Sequence, residues 1–205
     1  MIWKNDSQTE LITCGPDTVI SYNPDNGEVL WQLSGMQSGF SASPTVDAKR
    51  VYFGTSGPMS AGPLLAVDAG TSGDVELDDD FKNEKIAWSR TKSGPGMASP
   101  VIAKGMLYIP GRGGVLNCYD VSNGERVSRN RVTNMKSVAA SLWADEEHVF
   151  ILDETGNTHV IKAGSEFEVL GTNTIDDLFW STPAVVGESL LLRGVENLYC
   201  IRASN

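Results

Sequence analysis

Apolar residues along the chain come in short bursts separated by Gly, Asn, Asp and Ser, and they nowhere follow a helical period. Four stretches open alike, with a small residue, then Ser or Thr, then usually Pro: Ala42-Ser43-Pro44, Ala98-Ser99-Pro100, Ala140-Ser141-Leu142 and Ser181-Thr182-Pro183. Their third positions are 56, 42 and 41 residues apart. Eight residues further on stand Tyr52, Tyr108, Phe150 and Leu191, each between apolar neighbours such as Val51 and Phe53 or Leu107 and Ile109. Such runs predict strands buried on both faces. A further strand is expected at residues 64–68, 116–120, 158–162 and 198–202, with an earlier copy at 19–23. Aligned, these copies set Ser21, Ala66, Cys118, Val160 and Cys200 in one column of small or medium side chains. That column predicts a tight spot where neighbouring sheets approach. Turns carrying Gly27, Gly73 and Gly124 lead to fourth strands at 28–31, 86–88 and 125–129. Asp25-Asn26-Gly27 and Ser122-Asn123-Gly124 are hairpin turns, because Asn and Gly tolerate positive φ.

Four short strands per repeat of about forty residues describe the blade of a β-propeller. The expectation is an all-β fold, one domain over residues 1–205, built of four-stranded antiparallel blades. The blades fall near 1–34, 40–92, 97–132, 138–171 and 180–202, the last with only three strands. They are expected to belong to a ring of seven or eight. An insertion at 71–85 carries an acidic run at 76–80, which reads as a solvated loop because Asp78-Asp79-Asp80 lacks the alternating ligands of a calcium loop.

Ser21-Tyr22-Asn23-Pro24-Asp25-Asn26-Gly27-Glu28-Val29-Leu30-Trp31 resembles the blade motif A-x-D-x-x-T-G-x-x-x-W of the pyrroloquinoline quinone (PQQ) repeat family. Ala66-Val67-Asp68 opens a second copy whose Trp88 is displaced by the insertion, and Cys118-Tyr119-Asp120 opens a third with Ser128 in place of the Trp. Segments 62–70, 166–173 and 198–201 resemble the bacterial PQQ-like propellers, a group that includes the lipoprotein of the outer-membrane protein assembly machine. That resemblance implies an exported or periplasmic protein of seven or eight blades. The N-terminal MIWKNDSQTE carries no signal-peptide pattern. Trp31 and Trp88 read as residues packing one blade on its neighbour, each burial contributing about 2–3 kcal/mol.

The resemblance also implies PQQ, a Ca²⁺ ion, an Asp base and an adjacent pair of cysteines. None can be placed on these residues, so neither PQQ nor calcium is expected. The single cysteines Cys14, Cys118 and Cys200 have no metal or disulfide spacing and read as three buried thiols. Gly111-Arg112-Gly113-Gly114 reads as a hairpin turn, not a phosphate loop, since no helix follows it. The two histidines sit on consecutive strands. If Leu152 pairs with Thr158, His159 faces Ile151 and His148 lies about 10 Å away, too far to share a metal; both read as surface or edge residues. A net charge of −10 argues against nucleic acid or an anionic leaflet as a partner, since both demand clustered Lys and Arg. No apolar run is long enough to insert in a membrane as a helix.

What remains is a non-catalytic scaffold that binds a protein, peptide or surface glycan through loops; the competing expectation is a degenerate or fragmentary PQQ-dependent dehydrogenase. The segments between blades, 35–40, 94–97 and 176–180, bring Met36, Phe40, Met97, Phe179 and Trp180 toward one rim. Arg112, Asp153 and Arg193 fall in turns on the same side. The candidate binding residues are therefore Phe40, Met97, Arg112, Asp153, Trp180 and Arg193, aromatics and Met beside Arg being typical of interface cores. The apolar members also fit a simple plug of the channel end. With a three-stranded last unit, the chain is expected to be the C-terminal part of a longer propeller, or to associate with itself or another chain.

Overall fold

A computed structural model describes residues 1–36, 39–57 and 60–202. Gln37 and Ser38, part of the 35–40 segment, lie outside the described residues. Among the described residues every regular element is a strand, and the chain divides into two compact units, residues 1–96 with 121–125 and residues 97–120 with 126–205.

In the first unit, β1 (Ile2–Lys4), β2 (Thr9–Cys14), β3 (Thr18–Tyr22) and β4 (Val29–Ser34) form an antiparallel meander. A second sheet contains β5 (Thr45–Val46), β6 (Arg50–Ser56) and β7 (Ala61–Asp68). The chain then departs through β8 (Gly73–Glu76) before returning as β9 (Ile86–Arg90), which completes the sheet beside β7. β8 does not stay with its own sheet: it pairs in parallel with β4, Trp31 opposite Gly73 and Ser34 opposite Glu76. The insertion is thus a fifth strand for the first sheet, not a loose acidic loop throughout, and Val75 anchors it by complete burial. Beyond β8, Asp78 closes its own turn by accepting from the backbone N–H of Asp80 and Lys82.

The second unit holds three sheets. One is β10 (Val101–Ala103), β11 (Met106–Gly111), β12 (Val115–Asp120) and β13 (Arg126–Arg131); the next is β14 (Trp143–Ala144), β15 (His148–Leu152), β16 (Asn157–Lys162) and β17 (Val169–Thr174). The last is three-stranded: β18 (Ala184–Val186), β19 (Ser189–Arg193) and β20 (Leu198–Arg202).

The small-residue column has a reason the sequence did not disclose. Ser21 lies opposite Trp31, Ala66 opposite Trp88, Cys118 opposite Ser128 and Val160 opposite Gly171, and in all four sheets the register shifts immediately afterwards. Each small side chain leaves room for the motif position on the adjoining strand, and the bulge re-aims the strand beyond it. The tight spot is across the ladder of one sheet. Alternating apolar residues then build the cores: Trp3, Val19, Trp31, Phe53 and Leu65 in the first unit, Tyr108, Leu116, Val149 and Ile161 in the second.

The two motif tryptophans are held differently. Trp31 donates from Nε1 to Oε2 of the buried Glu10 at 2.8 Å, an oxygen that also accepts from Ser21 Oγ at 2.6 Å. Trp88 donates to the Val121 carbonyl at 2.9 Å, and its ring packs on Gly124. The same turn is gripped by Arg50 Nη1, 3.0 Å from the Val121 carbonyl and 2.8 Å from that of Ser122, and by Arg90 Nε, 2.7 Å from the Gly124 carbonyl. The second unit repeats the device with Tyr108, whose hydroxyl donates to the Gly164 carbonyl at 2.8 Å and accepts from its N–H at 2.7 Å.

Candidate functional site

The site is built on the segment entering the last sheet. Asp177 reaches the β19–β20 turn and accepts from the backbone N–H of Val195 (3.1 Å) and Asn197 (3.2 Å), from its own neighbour Leu178 (2.7 Å) and from the Tyr199 hydroxyl (3.1 Å). Desolvation pushes its carboxyl up, but the N–H groups of Leu178, Glu196 and Asn197 and the Tyr199 hydroxyl together outweigh it and hold the carboxyl below the usual range. A Cβ on Gly194 would lie 2.1 Å from Asp177 Oδ2, so any larger residue there would displace the carboxylate from the turn.

Two residues along, Phe179 is fully buried against Ala140, Leu152 and Leu192, its ring 5.8 Å from that of Tyr199. It makes a β-bridge with Gly194. Extended backbone alternates its side chains, so burying Phe179 turns its neighbours outward: Leu178 is 48% and Trp180 60% exposed. With Ser181, Arg193, Gly194 and Val195 they line an open cavity of 310 Å³. An indole, two aliphatic walls and a guanidinium can hold an apolar side chain together with a carboxylate or carbonyl.

Of the six residues expected at the site, the structure brings Trp180 and Arg193 together. Met97 is exposed and Arg112 sits in the exposed β11–β12 turn, and neither lines the cavity. Phe40 is half-buried on the first unit's core, edge-on to Phe53 at 6.3 Å, and Met36 is buried, so neither offers a free surface. Phe179 is a core residue as well. Asp153 does not line the cavity either. It is completely buried, and it accepts from the N–H of Lys136, Thr155 and Asn157, each at 3.0 Å.

His159 also departs from expectation. The register is the one anticipated, Leu152 opposite Thr158 and Ile151 opposite His159, but His159 is fully buried. Its Nε2 lies 3.4 Å from Asp153 Oδ2 and its Nδ1 3.1 Å from Thr172 Oγ1. His148 is partly exposed beside Asp145, at 3.0 Å. The thiols differ among themselves: Cys118 is buried, Cys14 half-buried and Cys200 exposed. Burial raises the Cys14 and Cys118 thiols to about 11.

Sequence reasoning missed Asp177, Leu178 and Val195. Asp177-Leu178-Phe179-Trp180 did carry a signal, since an acidic residue before a polar-free alternation marks a capped, extended entry. The partner turn at 194–197 shows no motif.

The quinone and calcium that the dehydrogenase resemblance brings with it need converging oxygen ligands. Among the described residues, no three His, Cys, Asp or Glu side chains gather to hold a metal.

No curated protein matches the chain. Among solved structures, BamB from Moraxella catarrhalis is similar with a TM-score of 0.72 and 17% identity, over 98% of this chain and 57% of that one. The computationally designed Ika8 protein is similar with a TM-score of 0.69 and 12% identity, again over 98% of this chain and 57% of that one. The chain thus spans little more than half the length of the structures it matches, and at such identities the likeness establishes the fold. The repeat, its bulged blades and the match of residues 6–190 to the family described as outer membrane protein assembly factor BamB agree, and the chain belongs to that family of PQQ-type β-propellers.

Proposed function

We propose that the chain is a non-catalytic binding scaffold, and that the cavity between Trp180 and Arg193 receives a segment of a protein or peptide partner. The observation that carries this reading is the exposed indole beside an exposed guanidinium on a turn pinned by Asp177 and Phe179. Aromatic and Arg side chains on a rigid frame supply most of the binding energy in typical interfaces, with little ordering cost on the scaffold's side. Such a site takes an extended peptide with one bulky apolar side chain and a carboxylate nearby.

The last sheet supports a second contact. Leu191 and Cys200 stand opposite each other where Tyr52 and Ala66, and Tyr108 and Cys118, stand in sheets whose corresponding residues are buried. In the last sheet, Cys200 and Leu198 are exposed instead. We propose that this face is covered by another blade of the same repeat.

The cavity reading is tested by selecting peptides from a displayed library on the full chain, then measuring the best one against Trp180→Ala and Arg193→Ala. A loss of at least about tenfold for each supports the reading. Equal affinity for both variants overturns it.

A further inference from the structure

The first sheet contains a worked example of strand addition. β8, with the sequence Gly73-Asp74-Val75-Glu76, joins the outer strand β4 from outside the sheet and in parallel, although it comes from the connection between β7 and β9. An outer edge in this fold is therefore competent to take an extended, acidic segment. β13 occupies the position in its sheet that β4 occupies in the first, and among the described residues no strand pairs with its outer side.

β13 differs from the other outer strands in charge. Its sequence is Arg126-Val127-Ser128-Arg129-Asn130-Arg131, without a single acid, in a chain whose net charge is −10. The register sets Arg126 opposite Tyr119, Arg129 opposite Asn117 and Arg131 opposite Val115. Those partners alternate along β12, so the three arginines share one face of the sheet. All three are exposed. Arg131 spends one donor on the Gly113 carbonyl; Arg126 and Arg129 have no acidic partner among the described residues. By contrast, β17 carries no charged residue, and Arg90 on β9 is committed to the carbonyls of Gly124 and Asn123.

We infer that the outer edge of β13 is an acceptor for an extended peptide bearing acidic residues at every second position. The unpaired N–H and C=O groups of the edge supply the backbone ladder, as β4 does for β8. Arg126, Arg129 and Arg131 supply charge-matched pairs for side chains on one face of the incoming strand. The same arginines repel a second β13 edge, so the edge is protected against its own kind while staying open to an acidic segment.

The probe is the capped peptide Gly-Val-Asp-Val-Glu-Val-Asp-Gly, labelled for fluorescence anisotropy and titrated with the full chain. Saturable binding is expected, weakened by salt and by at least about tenfold in Arg126→Gln/Arg129→Gln, together with slowed amide exchange along β13 in the complex. A second arm needs no variant: the same peptide with N-methylated backbone keeps its charges and loses its ladder, and is expected not to bind. No binding, binding indifferent to the arginines, or absence of β13 protection overturns the inference. Equal binding of the N-methylated peptide or of a sulfated polysaccharide also overturns it, since the edge would then be a general polyanion site.

Discussion

The indole of Trp88 packs so closely on Gly124 that a Cβ there would lie 2.5 Å from the ring. Gly124 also has φ of +69°, and the carbonyls of the turn that carries it accept from Trp88, Arg50 and Arg90. The motif Trp and the turn Gly are two halves of one joint. Ring burial needs a residue without a side chain, and the turn needs one that tolerates left-handed backbone.

Gly124→Ala should therefore cost about 2–4 kcal/mol, combining steric overlap with backbone strain. Gly27→Ala is the matched control. Its φ is +77° but nothing lies within 4 Å of the added methyl, so only the backbone penalty of about 1 kcal/mol applies. Urea unfolding of both variants checks the difference, and equal losses would show that ring packing adds nothing.

Tyr108 bridges to both backbone groups of Gly164, and Tyr108→Phe should cost about 1–3 kcal/mol by leaving them unpaired. Burial raises the Tyr108 hydroxyl to about 12, and burial with the Asp47 hydrogen bond raises Tyr52 further. A group raised on folding stabilises fully below its unfolded pKa and loses that contribution as pH climbs through the folded one. Stability should thus fall above about pH 10, and less so in Tyr108→Phe. Denaturation midpoints measured from neutral to alkaline pH decide this.

Asp177 works at the other end of the scale. Its carboxyl is lowered on folding, so the turn it pins is held above the ordinary aspartate range and released as pH falls through the lowered value. Trp180 emission should shift between about pH 4 and lower values in the parent chain. In Asp177→Ala the shift should be absent and the emission already that of the released turn at neutral pH.

Cys200 is exposed, whereas Cys118 is buried with its thiol raised to about 11. An aromatic disulfide reagent at neutral pH should modify Cys200 quickly and Cys118 only on unfolding. If another blade covers the last sheet, as proposed above, Cys200 protection should rise with protein concentration alongside mass by light scattering. A monomer at every concentration with freely reactive Cys200 would exclude coverage by a second copy.

The sequence by itself determined the strands, the hairpin turns and their order. These rest on periodicity and on Asn-Gly chemistry, both local, and the repetition of one pattern makes each copy support the others. The pairing of Leu152 with Thr158, only a condition in the sequence reading, is the register that the structure has. Only the tertiary structure decided which chemically similar residues face inward. Trp180 and Phe179 are adjacent aromatics, yet one is exposed and the other buried, since the bridge to Gly194 fixes the phase of the alternation. Asp153 and Asp177 look like surface carboxylates in the chain, and both are consumed by backbone N–H groups that arrive from distant segments. β8 joins β4 across some forty residues of sequence, in a parallel arrangement that no local pattern encodes. Burial and edge pairing depend on what lies opposite in space, and that is information a single strand does not carry.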